Sequence, residues 1–271
     1  STLVAAAILF VNLYVVRQSV VSLVLPRRVA NIEIGEEVPG RYLVSAALAI
    51  SLVLGWWLAL PAESWRMFSL LRHGLPFGET DPFLDLDLGF YVYWLPIENL
   101  LYYRVLTTAP PPTVVVIFFY ALTPSLRWDR GSLYVSHYVR RHIAALGALL
   151  LLLLAWSYRI DIYEALLAGS GPDNAFSYAD HHTVIPVSIW LAYLTACTAL
   201  VVLYFGWIGQ VRAAWMTLAA VLLVSLVLRH VTPLFMRRYV AAGAEAGREA
   251  SYEATRRDYT RRAYALQRIE T

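Results

Sequence analysis

Few side chains in this sequence carry chemistry, and most of them lie outside its long apolar stretches. Asp180, His181 and His182 form the one cluster of metal-ligand types. Adjacent histidines point in different directions on a regular helix or strand, and a stable metal site needs three or four ligands converging from separate elements. The trio is therefore a metal candidate only if distant residues join it. Asp81, Asp85 and Asp87 make an acidic loop, with Gly78 and Pro82 to fix its shape. Such carboxylates can ligate a hard cation, but the spacing lacks the Gly and the distant bidentate Glu of a calcium-binding hand. The plainer reading is structural: carboxylates that cap nearby helix starts or pair with Arg66 or Arg72. Glu98 and Arg104 are the candidate intramembrane polar site, because ionisable groups at depth are expensive and often functional. Six residues apart on one helix, they fall on different faces, so each needs its own partner or reaches the interface by snorkelling. Arg17, Arg159 and Arg229 lie near the ends of apolar blocks, where snorkelling is the default. No nucleophile with its base, phosphate-cradling glycine loop or paired catalytic carboxylate occurs at a meaningful spacing. Gly169-Ser170-Gly171 reads as a flexible loop. The sequence thus assigns no catalytic residue and leaves any cofactor unknown.

The elements that must position these residues are set by composition. Of 271 residues, 59% are hydrophobic and 15% charged, too few charges for a surface in water. The apolar residues fall into blocks long enough for a hydrocarbon core of about 30 Å, which takes about 20 residues of helix. Every basic residue is Arg; the 22 arginines against 19 acids leave a formal charge of +3, too small an excess to imply nucleic acid as a partner. The absence of Lys fits a GC-rich coding sequence. Cys197 is the only cysteine and lies in an apolar block, so an intrachain disulfide and a cysteine-zinc cluster are excluded. The chain opens at Ser1 directly into an apolar block, with no charged region before it, which reads as a start inside a longer protein and not as a signal peptide.

Six blocks are expected to cross the bilayer. The first, Thr2 to Leu25, stops at Pro26-Arg27-Arg28, an interfacial ending. The second, Tyr42 to Leu60, carries Trp56 and Trp57 at headgroup level and closes at Pro61. The third, Tyr91 to Leu122, contains Pro110-Pro111-Pro112, which no unbroken helix interior accepts. It is expected to be a half-depth helix, a break, and a second piece from about Thr113, together making one crossing. The fourth, His142 to Tyr158, has Ala144, Gly147 and Ala148, where a neighbouring helix can approach closely. The fifth, Val184 to Trp207, and the sixth, Ala213 to Val231, are joined by so few residues that they form an antiparallel hairpin. Residues 1–236 are read as the membrane bundle. Residues 237–271, rich in Ala, Arg and Glu, are read as a polar helical tail in which Glu249, Glu253 and Arg257 share helical spacing.

The connections after the first, third and fifth blocks carry Arg27, Arg28, Arg41, Arg127, Arg130, Arg140, Arg141 and Arg212. Those after the second and fourth carry Arg66, Arg72 and Arg159, with nine acids from Glu63 to Asp180. The positive-inside rule makes the arginine-rich set cytoplasmic, and six crossings then leave the tail extracytoplasmic.

The stretch Phe77-Gly78-Glu79-Thr80-Asp81-Pro82 through Asp85, Asp87, Phe90-Tyr91 and Leu95-Pro96 resembles a pattern of uncharacterised protein family 0182, a group of bacterial multi-pass membrane proteins. Arg159-Ile160-Asp161-Ile162-Tyr163-Glu164, Phe176-Ser177-Tyr178-Ala179-Asp180 and Glu253-Ala254-Thr255-Arg256-Arg257-Asp258-Tyr259 resemble the same family. The resemblance implies the membrane part of a design that continues into a large extracytoplasmic region, located in the bacterial plasma membrane. It implies no molecular activity. The chain departs from the family pattern at His181-His182, and the family's first helix has no counterpart here.

Two functions of different kind remain. One is a non-enzymatic structural anchor or accessory subunit, with lipid bilayer and other membrane subunits as partners. The other is a transporter or channel, for which the broken third block would supply the discontinuous helix that often frames a site. A membrane enzyme would rest on the histidine pair and acidic loop alone.

Overall fold

In the computed structural model the chain is an all-α bundle, described at residues 2–20, 28–29, 32–33, 40–57, 64–121, 126–129, 132–171, 174–231 and 241–264. The helices are α1 (Thr2–Val20), α2 (Gly40–Trp57), α3 (Ser64–His73), α4 (Leu95–Thr108), α5 (Pro110–Ala121), α6 (His137–Leu167), α7 (Ile185–Ile208), α8 (Val211–Leu226) and α9 (Ala241–Ala263). Two antiparallel hairpins stand in arginine-rich connections, β1 (Arg28–Val29) with β2 (Ile32–Glu33) and β3 (Leu126–Asp129) with β4 (Ser132–Val135). Five stretches are long and apolar enough to cross a bilayer: Gly40–Trp57, Phe90–Ala121, His137–Leu167, Asp180–Ile208 and Val211–Val231. Helix α1 adds a shorter apolar stretch, Ala5–Val16. The end of the expected first block, residues 21–25, lies outside the described residues.

Helices α6 and α7 form the central pair; α8 packs on α7, α4 and α5 on α6, α1 on α5, and α2 on α1. Lipid tails are as apolar as these side chains, so close approach and cross-helix hydrogen bonds hold the row together. Small residues provide the approach. In α2, Ala47, Ser51 and Gly55 recur every fourth residue on the buried face. A Cβ on Gly55 would stand 2.7 Å from Ala6 of α1, and one on Gly206 of α7 would stand 2.1 Å from the Cβ of Ala144 on α6. The start of each first helix therefore meets the end of the second, as antiparallel pairs require. At the arginine-rich end a polar chain links three helices: the Tyr120 hydroxyl lies 2.7 Å from His142 Nδ1, and His142 Nε2 lies 3.3 Å from Asn12 Oδ1.

The third block is long and apolar enough for one crossing, but its break falls elsewhere than expected. Helix resumes at Pro110 and not near Thr113, and Ala109 keeps helical angles with its N–H donating to Val105 O. The three prolines occupy the first turn of α5, where backbone N–H groups have no intrahelical partner to lose. Ala109 O, at the join, accepts the Thr113 hydroxyl at 3.0 Å.

Two further prolines are accommodated by wider, π-helical turns at Phe90–Trp94 and Asp180–Val184, and a third such turn spans Val227–Val231. Pro96 and Pro186 each stand six residues after the first residue of their turn. A proline ring collides with the carbonyl four residues back in a regular helix. Here the bond runs five residues, Leu95 N–H to Phe90 O and Ile185 N–H to Asp180 O, and the wider ring of atoms admits the proline.

Candidate functional site

The residues with chemistry gather at one end of the bundle, the acidic end, where the loop before α4, the end of α6, the start of α7 and the helix α9 meet. Two of the three carboxylates of the acidic loop, those of Asp81 and Asp87, are committed mainly to backbone. Asp81, 3% exposed, accepts Phe83 and Leu84 N–H on one oxygen and Leu86 N–H and the Tyr91 hydroxyl on the other, at 2.7–3.1 Å. Asp87 accepts Phe77, Gly78 and Gly89 N–H, the last closing a helix N-cap. These bonds hold its carboxyl below the usual carboxylate range. Asp85 is exposed with φ of 55°, a backbone conformation Asp tolerates. Asp81 and Asp87 thus cap and brace the loop.

Asp180 is 2% exposed and does the same for the α7 entrance. Its Oδ2 accepts Ser177 N–H at 3.0 Å and the Ser177 hydroxyl at 2.8 Å, while Asp180 N–H faces Ser177 Oγ at 3.3 Å, a reciprocal capping box. Ser170 N–H, from the Gly169-Ser170-Gly171 loop, donates to the same oxygen at 2.8 Å. Asp180 is therefore turned away from the histidine pair. Among the described residues no group of three His, Cys, Asp or Glu side chains is placed to hold a metal.

His181 and His182 instead receive α9. The Tyr252 hydroxyl lies 2.9 Å from His181 Nδ1 and 3.5 Å from His182 Nδ1. Phe83 of the acidic loop stacks on Tyr252, with centroids 5.3 Å apart and planes 5° from parallel, and packs on Phe176 at 4.7 Å. Tyr178 stacks on His182 at 4.1 Å, its N–H donates to Glu249 of α9 at 3.0 Å, and Arg248 lies over its ring. Arg262 of α9 pairs with Glu79 at 2.7 Å. Burial, with Tyr178 and Glu249 alongside, pushes the Tyr252 hydroxyl up, so it stays protonated at neutral pH. The intrahelical spacing expected of the tail is realised as Arg257 to Glu253, 3.2 Å.

Glu98 of α4 is likewise buried, 5% exposed. Its two oxygens accept the indole N–H groups of Trp94 (3.0 Å) and Trp156 (2.9 Å), and Arg159 of α6 bonds to the same carboxylate. Its cation thus comes from α6. Arg104, the other half of the expected pair, lies further along α4, where its carbonyl accepts the Thr107 and Thr108 hydroxyls. Arg159, expected to snorkel, keeps its side chain 46% exposed while it pairs with Glu98. Trp156 and Arg159 stand three apart on α6, and a buried acid on one span demands a base at equal depth on another. Two further ties join the layer: Asn99 to Glu164 at 2.8 Å and Arg229 to Asp161 at 3.0 Å.

Glu79 of the loop before α4 and Arg262 of α9 touch, and Phe176 of the loop after α6 packs on both Phe83 and Tyr252. Those loops therefore share one side of the bundle, which requires an even number of crossings between them. The Phe90–Ala121 segment and α6 are those two.

The model of the uncharacterised protein family UPF0182 matches residues 1–271. The chain belongs to this family. It is 31% identical over 232 residues to a UPF0182 protein of Geobacter sulfurreducens, covering 84% of this chain and 25% of that protein. It is 25% identical over 233 residues to one of Desulforamulus reducens, covering 86% and 25%, and 27% identical over 234 residues to one of Frankia alni, covering 84% and 22%. The chain thus spans about a quarter of the length of the curated relatives it matches. No solved structure matches it. In the family chain described here, the separate stretches that carry the resemblance converge in space: 77–96, 159–164, 176–180 and 253–259 all contribute to the acidic end.

Proposed function

We propose that the chain is a non-enzymatic membrane anchor that fixes the direction in which α9 leaves the bilayer and so holds an extracytoplasmic region in place. The docking of α9 carries this reading. A polar helix that merely trailed from the bundle would have no use for a stacked Phe83–Tyr252 pair, a shared histidine hydrogen bond and an ion pair to Glu79. The relatives, about four times as long, supply a further reason for a rigid exit. On the positive-inside rule the acidic end faces away from the cytoplasm of a bacterial plasma membrane. The outward apolar faces of α2 and α8 serve lipid, or other membrane subunits for which this chain is an accessory.

The test is a distance measurement in lipid nanodiscs. With Cys197→Ala as background, spin labels at Leu167→Cys on α6 and Ser251→Cys on α9 are expected to give one narrow distance distribution, broadened by Tyr252→Ala. A broad distribution in the unmodified docking site contradicts the anchor.

A transport reading has one observation in its favour. The entrances to α4 and α7 are matched, each a π-turn followed by a proline, and paired irregular helices frame sites in transporters. Proton and potassium flux into liposomes, lowered by Glu98→Gln, would support it; absence of flux in every form removes it.

A further inference from the structure

Apart from the α9 docking cluster, a cavity of about 310 Å³ lies between α6, the turn that opens α7 and the end of α8. Its charged lining is Asp161, Glu164, Asp180 and Arg229, Thr183 is among its hydroxyl residues, and Val187 and Leu191 give it an apolar wall. Three carboxylates thus meet one guanidinium. Arg229 is taken by Asp161 at 3.0 Å. Glu164 accepts from the amide of Asn99, and Asp180 from Ser170 and Ser177, all neutral donors. Among the described residues neither Glu164 nor Asp180 forms an ion pair, which leaves the cavity with an excess of negative charge.

A second feature points to a guest. Thr183, on the cavity wall, is 6% exposed, and its Oγ1 is buried without a hydrogen-bond partner. A buried hydroxyl left unpaired is costly, and the native arrangement is one in which something satisfies it. The described carboxylates do not converge as a metal site, so the missing positive charge is not that of a metal held by three side chains. An organic cation answers all the features at once. Its N–H groups suit Glu164 and Asp180, the Thr183 oxygen accepts a further one, and Val187 and Leu191 suit a hydrocarbon body.

We propose that this cavity binds a small primary alkylammonium. The proposal does not rest on the anchor reading: Asp180 and Thr183 share the turn before α7 with His181 and His182, but α9 is met by the two histidines, Tyr178 and the acidic loop.

The experiment is isothermal titration of the chain in lipid nanodiscs with n-butylammonium chloride, and with sodium butyrate and 1-butanol in parallel at equal ionic strength. Saturable binding of n-butylammonium alone is expected. Glu164→Gln should weaken it about tenfold through loss of a charge-assisted contact. The near-isosteric Thr183→Val should weaken it severalfold, and Val187→Trp, which fills the space, should abolish it. Thr183→Val keeps the test decisive if Glu164→Gln proves unfolded by its melting curve. No saturable heat, equal binding of butyrate or butanol, or affinity unchanged in both Thr183→Val and Val187→Trp would overturn the proposal.

Discussion

At the scale of single residues, charge in this bundle is tolerated only where donors surround it. Glu98 has two indole N–H groups and Arg159, and each can be removed without touching the others. The Glu98 carboxylate is buried while Arg159 is half-exposed, so the pair is worth less than a fully buried one. Glu98→Gln and Arg159→Gln are each expected to cost about 1–2 kcal/mol, and Trp156→Phe about 1 kcal/mol, in thermal melts of the nanodisc-embedded chain. The double variant should cost less than the sum of the two singles; strict additivity would show that the pair is not coupled. Asp87 offers a pH readout. Its carboxyl is lowered by backbone donors, so the brace is fully present above the ordinary aspartate range and is lost as pH falls through the lower, folded value. Protection of the Phe77, Gly78 and Gly89 amides, corrected for intrinsic exchange, should therefore fall as the pH drops below about 4, an effect that Asp87→Asn should mimic at neutral pH. Equal protection of these amides in the parent and in Asp87→Asn at pH 7 would contradict the assignment. The residue types were legible beforehand: Glu98 stood out as a buried acid and Asp81 and Asp87 as bracing carboxylates. Their partners were not, because a helix face fixes direction while the partner depends on which span packs opposite. Six residues of spacing separated Glu98 from Arg104; only the packing of α4 on α6 brings Arg159 to it.

At the scale of elements, prolines and small residues do most of the shaping. The apolar blocks and their order could be read directly, since a bilayer leaves the backbone little choice but helix. What could not be read was how proline is housed. The run at 110–112 looks like a break three residues long, but a first helical turn has no N–H bonds to forfeit, so α5 begins at Pro110 itself. Single prolines at 96 and 186 give no warning of a π-turn, because the widened turn answers a local collision that spacing alone does not reveal. The short hairpins and α3 escaped notice for a similar reason: the segments are too brief for periodicity to register. Close approach gives the sharpest test at this scale. Gly206→Val puts side-chain atoms where Ala144 already stands and should cost about 1–3 kcal/mol. Combining it with Ala144→Gly should recover part of that loss in the same melting assay. If Gly206→Val melts like the parent, α6 and α7 do not pack as described.

At the scale of the whole molecule, the bundle is a row of helices with an acidic end that gathers the four stretches carrying the family pattern, 77–96, 159–164, 176–180 and 253–259. Residues far apart in sequence, Glu79, Phe176 and Tyr252, carry side chains that only three-dimensional closure could bring together. For that reason the His181-His182 pair looked like an isolated metal candidate when it is part of a seat for α9. The proposed sidedness rests on the arginines at the opposite end. Cysteine introduced at Glu79 or at Arg262 should react with a membrane-impermeant maleimide from the extracytoplasmic face, and cysteine at Arg212 only after the membrane is opened; reaction of all three from one face would refute the arrangement. The most direct test of the anchor itself joins both ends of the seat in intact membranes. In a Cys197→Ala background, Glu79→Cys and Arg262→Cys together should be bridged within the chain by a short bifunctional maleimide, with the yield sharply reduced by Tyr252→Ala. Failure to bridge, while each cysteine alone still labels fully, would mean that α9 is not held on the bundle.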